Sequence, residues 1–261
     1  MLLQRIVTAI IGVALVVGTT WLGGVWLAVL FAAIAATSTL EIGAMMKVRP
    51  SSAESIIALI FAVAMVLFPR FVGFWYVLFY LLLVLTIVRR EQFSFSGAGV
   101  LFAAALYSSY AFRTMLDLRA LTDGFGWVLL VFIGIWSTDT GAFFVGRAFG
   151  GRKLLPEVSP KKTVSGALGG FISAMVLTTV AGVVMIDASL GRWVFFAVLG
   201  AVISVAGQLG DLVESALKRH YAVKDSGWIL PGHGGVLDRF DSLLLAAPIA
   251  YHLIMWMFPH P

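Results

Sequence analysis

The sequence predicts an all-α fold: a polytopic integral membrane protein with about nine transmembrane helices. Three observations carry this reading. Hydrophobic residues make up 61% and charged residues 12% of the 261 positions, where soluble domains have roughly 45–50% and about 25%. Apolar stretches approaching the roughly 20 residues of a helical span cover most of the chain. The basic residues collect on alternate loops. Together with a mean hydropathy of +1.01, these features exclude a disordered chain and a disulfide scaffold, and speak against an ordinary soluble domain.

The elements follow in order. The opening MLLQRIVTAIIGVALVVGTTW imitates a signal peptide, with one Arg before an apolar run. No small-x-small cleavage site follows and further spans come at once, so residues 6–21 read as the first transmembrane helix. Eight more follow at 24–46, 54–69, 71–88, 97–116, 125–147, 164–186, 192–217 and 242–258. The first, third and fourth are short, which points to tilt or re-entrance. No internal repeat or low-complexity linker stands out. The chain divides into N-terminal membrane helices, 1–125, and a C-terminal catalytic region, 126–261, with polar loops at 147–163 and 218–241.

Charge placement tests the count. With nine helices, one side collects Arg5, Lys47, Arg49, Arg89, Arg90, Arg147, Arg152, Lys153, Lys161, Lys162, Lys218, Arg219, Lys224 and Arg239, which is 14 of the 18 Lys and Arg. The other side has Arg70, Arg113, Arg119 and Arg192. The positive-inside rule then puts the N-terminus in the cytoplasm and the C-terminus outside. The formal charge of +5 suits topology control, anionic lipid or an anionic substrate. Nucleic acid is a poor partner, because the bases are scattered among apolar segments. The absence of cysteine removes disulfides, thiolate metal sites and cysteine nucleophiles.

The polar chemistry concentrates in the second half. Asp211, Glu214, Ser215 and Lys218 are spaced i, i+3, i+4 and i+7, so they share a helix face. The two carboxylates follow an apolar run, where ionisable groups are costly and usually functional. They suit a hard cation such as Mg²⁺; the plainer alternative is pairing with Lys218 or Arg219. Asp225, Asp238 and Asp241 follow. Asp238 and Asp241 start the last span, where they face Asp211 if the helix ends meet, or simply cap their helix. Between them, PGHGG (Pro231–Gly235) offers backbone N–H groups for an anion and His233 for ligand orientation or proton transfer. A flexible turn explains this motif equally well.

SPKKTVSG, Ser159–Gly166, places Lys161, Lys162, Thr163 and Ser165 at a helix N-terminus, where anions are favoured. It lacks the glycines of a Walker loop, and a positive-inside anchor is the alternative. WSTDTGAFFVGR puts Asp139 inside an apolar run, to bind a cation, contact a substrate hydroxyl or pair structurally with a base. Glu41, about one turn from the cytoplasmic end of the second span, is adequately explained by Lys47 or by snorkelling.

The run SALKRHYAVKDSGWILPGHGGVLDRFD, Ser215–Asp241, resembles the signature of the phosphatidate cytidylyltransferases, or CDP-diacylglycerol synthases. Ser215, Lys218, Arg219, Lys224, Asp225, His233, Gly234, Gly235, Asp238, Arg239 and Asp241 all match its pattern. GDLVES, SPKKT and WSTDTGAFFVGR are also similar to this family. Roughly the second half is covered motif by motif; the first 125 or so residues agree only as apolar spans. The resemblance implies a polytopic helical enzyme, a homodimer, and a polar site facing the cytoplasm. It implies conversion of CTP and phosphatidate to CDP-diacylglycerol and pyrophosphate, dependent on Mg²⁺ and assisted by a monovalent cation such as K⁺. The family's metal-binding carboxylates fall on Asp211 and Asp238.

On that basis Glu214, Asp225 and Asp241 support the metal or orient substrate. Lys161, Lys162, Lys218, Arg219, Lys224 and Arg239 neutralise phosphate. Ser159, Thr163 and Ser165 hydrogen-bond it, His233, Gly234 and Gly235 line the nucleotide pocket, and Asp139 is a further polar contact. Ser215 belongs to the same substrate-binding set. A bacterial cytoplasmic membrane is the expected location. A transporter is the first rival, but its chemistry would not crowd one membrane side. The CDP-alcohol phosphatidyltransferases, the second rival, do not fit, because Asp123-Gly124 is followed by Phe-Gly-Trp; a relative using an isoprenoid-type lipid phosphate is a closer alternative. A non-catalytic relative is the third.

Overall fold

The computed structural model describes residues 2–229 and 234–258. Among these residues, nine α-helices run in order: α1 (Leu2–Leu22), α2 (Gly24–Met45), α3 (Ala53–Leu67), α4 (Trp75–Val88), α5 (Phe95–Arg119), α6 (Gly124–Phe149), α7 (Val164–Met185), α8 (Leu190–His220) and α9 (Leu237–Met257). A 3₁₀ segment, Pro69–Phe74, leads into α4. Among the described residues, seven helical stretches are long and apolar enough to cross a membrane: α2, Pro69–Val88, α5, α6, α7, Gly191–His220 and α9. Ile6–Leu22 and Ala53–Leu67 are apolar but shorter. The protein is thus a helical, polytopic membrane protein.

An all-α reading misses one feature. Within 147–163, strands β1 (Lys153–Leu155) and β2 (Ser159–Thr163) form a small antiparallel hairpin, pairing Lys153 with Thr163 and Leu155 with Ser159. Both polar loops are also shorter than expected, since α6 continues to Phe149, α8 to His220, and α9 begins at Leu237.

Local chemistry sets several boundaries. Ser52 caps α3 by accepting the Ser55 N–H, and Thr163 caps α7 by accepting the Gly166 N–H at 3.1 Å; each occupies one otherwise unpaired helix-end donor. Inside the spans, Thr20, Thr39 and Thr138 donate to carbonyls one turn back, at 2.7, 2.8 and 2.8 Å. This satisfies hydroxyls that are buried among the helices.

The chain forms two compact units. One comprises residues 1–116 with 221–239; the other comprises 117–220 with 240–261. In the first, the polar 221–239 segment joins the N-terminal helices rather than its neighbours in sequence. Its core includes Ala58 of α3, Leu78 and Leu82 of α4, and Ala98, Leu101 and Ala105 of α5. The Phe31 and Phe112 rings stand 5.3 Å apart.

In the second unit, α6, α7 and α8 pack together. Small residues let α6 and α7 approach closely: a Cβ on Gly170 would sit 2.6 Å from the Thr138 carbonyl oxygen. Such contacts carry helix association where lipid supplies no hydrophobic drive. Trp127 packs against Phe196 and Phe258, and the Arg192 guanidinium lies 4.0 Å from the Phe258 ring centre. In the α7–α8 turn, the Ser189 N–H, with Arg192 nearby, holds the Asp187 carboxyl below its ordinary range. Apolar side chains such as Val184 and Val194 remain exposed, as expected of lipid-facing positions.

Candidate active site

A cavity of about 430 Å³ opens in the second unit, walled by α6, the hairpin, α7 and α8. Its polar lining comes from Thr138, Asp139, Arg147, Lys161, Lys162, Thr163, Gln208 and Asp211; Ala142, Phe143, Leu154 and Ala167 supply apolar wall. Three cationic and two carboxylate side chains therefore share one space. The hairpin explains this convergence. It carries Lys161 and Lys162 at the mouth of α7, whose N-terminus Thr163 caps, and N–H groups at a helix start favour anions.

Asp211 of α8 faces this space. Its Oδ2 lies 2.6 Å from Lys162 Nζ, and its Oδ1 accepts the Ser215 hydroxyl at 3.2 Å. Lys218 takes a different partner, Glu214, at 2.7 Å. The expected alternative, a carboxylate paired with Lys218, thus holds for Glu214, which is 5% exposed, and not for Asp211. Helix geometry decides this. Glu214 and Lys218 are i, i+4 neighbours, whereas Asp211 is nearly two turns from Lys218. Asp241 feels the charges of Asp211, Asp139 and Lys162. The approach of α9 rests on Gly210, where a Cβ would sit 2.6 Å from the Asp241 carbonyl oxygen.

Asp139 is exposed rather than buried in apolar surroundings; the cavity supplies its polar setting. The hydroxyls of SPKKT already serve the fold: Thr163 caps α7 and Ser165 donates to the Gly150 carbonyl. Ser159 lies in the hairpin, paired with Leu155. Arg219, exposed at the end of α8, donates to the Val158 carbonyl at 3.4 Å.

The first unit holds a second constellation. Asp238, in the first turn of α9, accepts three bonds at Oδ2: from Ser226 N at 2.9 Å, Ser226 Oγ at 2.9 Å and Gly235 N at 2.8 Å. Glu41 of α2 stands behind it, accepting from Val236 N at 2.9 Å and Leu237 N at 2.8 Å. Ser226 Oγ also lies 3.2 Å from Glu41 Oε2. Two glycines make room. A Cβ on Gly235 would stand 2.7 Å from both Glu41 carboxylate oxygens, and one on Gly227 would collide with Glu41. Gly234, at φ +80°, needs the left-handed region and leaves space for Asp238. Lys224, Asp225 and Arg239 are exposed. His233 lies outside the described residues.

Glu41 is the residue that sequence reasoning missed. It does not snorkel: only 4% is exposed, and its partners are the start of α9 and Ser226, not Lys47. The available signal was its cost, because a carboxylate inside a span needs donors. Gln208 was also missed. Its amide nitrogen donates to the Ala167 carbonyl and Ser204 Oγ at 3.3 and 3.1 Å, which orients the side chain at the cavity wall. Arg147 lines the same wall.

The donor set suits a hard cation. Asp211 and Asp139, on the cavity wall, and Asp238, in the other unit, offer carboxylate oxygens, the ligand type of Mg²⁺. Among the described residues, no group of three or more His, Asp or Glu side chains is arranged as a protein-only metal cage. Mg²⁺ is commonly bound by one or two carboxylates with water and substrate phosphates rather than by an all-protein cage.

The sequence pattern of the Cytidylyltransferase family matches residues 3–257. A phosphatidate cytidylyltransferase of Bacillus subtilis (strain 168) is 39% identical over 264 residues, covering 96% of this chain and 97% of that protein. The enzyme of the same name from Staphylococcus haemolyticus is 36% identical, covering 97% of this chain and 99% of its own. That from Staphylococcus saprophyticus is 34% identical, with 96% and 98% covered. The matched range runs through both compact units, and on these grounds the chain belongs to the cytidylyltransferase family.

Proposed function

We propose that this protein makes CDP-diacylglycerol: a phosphatidate oxygen attacks the α-phosphorus of CTP, the new P–O bond forms, the α–β bridging P–O bond breaks, and pyrophosphate leaves. The observation that carries this reading is the basic cavity beside Asp211, with Lys161, Lys162 and Arg147 on its walls, in a chain of this family. Both substrates are polyanions, so the cations lower the repulsion between them and receive the charge that develops on pyrophosphate. The protein needs no covalent nucleophile. Holding attacking oxygen, phosphorus and leaving oxygen in line supplies much of the acceleration.

Asp211 and Asp238 would hold Mg²⁺, with Glu214, Asp225 and Asp241 supporting it or orienting substrate. When bound, Mg²⁺ neutralises phosphate charge, and K⁺ assists. Lys218, Arg219, Lys224 and Arg239 add positive charge for the phosphates. Ser159, Thr163, Ser165 and Ser215 bond polar substrate groups. His233, Gly234 and Gly235 border the nucleotide, and Asp139 is a further polar contact. The enzyme works as a homodimer in a bacterial cytoplasmic membrane. Its nine helices cross the bilayer, and the site opens to the cytoplasm, the side favoured by the distribution of Lys and Arg.

The test is pyrophosphate release by purified protein in mixed micelles, with CTP, phosphatidate and Mg²⁺ omitted in turn. Release that needs all three and yields a CDP-lipid is the expected result. CTP binding without release would move the acceptor to another lipid phosphate. Neither binding nor release, in folded protein, would overturn the reading.

A further inference from the structure

Glu41 belongs to α2, and 185 positions separate it from Ser226. It nonetheless accepts hydrogen bonds from the start of α9. Its two oxygens take the Val236 and Leu237 N–H groups, donors at a helix start that otherwise lack partners. Its Oε2 also reaches Ser226 Oγ, which stands 2.9 Å from Asp238 Oδ2. The single Ser226 Oγ–H is thus shared between a buried carboxylate in a membrane helix and the carboxylate on α9, with the shorter approach to Asp238. Gly227 and Gly235 each lack the Cβ that would displace Glu41. A helix cap needs only an oxygen near the first turn, and a local Ser or Asp supplies that at less cost than a carboxylate 4% exposed. Glu41 instead ties the start of α9 and the serine beside Asp238 to α2.

We propose that Glu41 is a positioning residue for nucleotidyl transfer: by holding the Val236 and Leu237 N–H groups at the start of α9, and Asp238 through Ser226, it sets the carboxylate geometry that the reaction uses. The inference rests on the activity proposed above. Removal of a supporting hydrogen-bond partner of this kind typically costs about 10- to 100-fold in activity or metal affinity.

The experiment compares wild type, Glu41→Gln, Ser226→Ala and the double variant in micelles. It measures kcat, KM for CTP and the Mg²⁺ concentration for half-maximal rate, with hydrogen exchange read over residues 224–240. Gln keeps the size but turns one acceptor into a donor that faces donors. Expected for Glu41→Gln is faster exchange at 235–237 and a fall in kcat, or a rise in required Mg²⁺, of about 10- to 100-fold per folded molecule. Ser226→Ala spares both backbone bonds of Glu41, so exchange at 236–237 stays slow while turnover falls. The double variant should be no worse than the poorer single one, as for residues that act in series.

Wild-type kcat and Mg²⁺ response in Glu41→Gln would overturn the proposal, as would strictly additive losses. If Glu41→Gln does not fold, Ser226→Ala decides, since wild-type turnover there breaks the link to Asp238. If wild type itself shows no turnover, the proposed activity fails; unchanged exchange in Glu41→Gln would then separately overturn the tie to α9.

Discussion

Lys162 Nζ and Asp211 Oδ2 lie 2.6 Å apart, and this pair joins the hairpin to the cavity face of α8. Both side chains are more than a quarter exposed. A pair this open contributes at most about 1 kcal/mol to stability. Its interest lies in function: it keeps a cation and a carboxylate at one point of a cavity suited to polyanions. Lys162→Ala should barely shift the thermal midpoint in detergent, yet lower kcat/KM by about 100-fold, the scale of losing one preorganised charge contact. A large fall in midpoint with normal turnover would reverse this assignment.

Asp211→Asn and Asp238→Asn should each remove most turnover while leaving folded protein. The first loses the ion pair with Lys162, and the second weakens acceptance of the Ser226 and Gly235 N–H groups. Pyrophosphate release and size-exclusion behaviour check both. Near-normal activity in the two variants would sink the metal assignment.

Gly235→Ala should be harmful, because its Cβ would enter the space of Ser226 Oγ and of both Glu41 oxygens. Overpacking of this sort costs about 1–3 kcal/mol, and here it also displaces the turn that carries Asp238. Gly99→Ala is the control. It lies in α5 with nothing within 4 Å of an added Cβ, so it should stabilise by roughly 0.5–1 kcal/mol. Thermal melting of the two variants in one detergent tests the contrast.

Thr163→Ala removes the oxygen that accepts the Gly166 N–H at the start of α7. A lost cap costs about 1 kcal/mol, and the lysines just before it lose their fixed approach to the cavity. Thr163→Ser should restore both stability and turnover. Failure of Ser to restore either would remove the cap from the explanation.

Much of the fold was legible because membrane insertion depends on composition over windows of about 20 residues. All nine predicted spans coincide with helices; among the described residues seven helical stretches are long and apolar enough to cross, while Ile6–Leu22 and Ala53–Leu67 are shorter. The hairpin was not legible: its KLL and SPKKT strands are three and five residues long, too short for an alternation signal, and they matter only as a pair. The helical spacing of Asp211, Glu214 and Lys218 could be read, but not which carboxylate each lysine takes.

The chain alone determined a polytopic helical membrane protein, the polar segments that carry its chemistry, and its likeness to the cytidylyltransferases through the run from Ser215 to Asp241. Those properties live in composition, period and local motif. Tertiary structure alone decided that Lys162 pairs with Asp211, and that Glu41 binds the first turn of α9 across 185 to 196 positions. The physical reason is that a hydrogen bond selects whichever donor packing brings within about 3 Å. Nothing in the residues around Glu41 names that donor. Only the folded helices do.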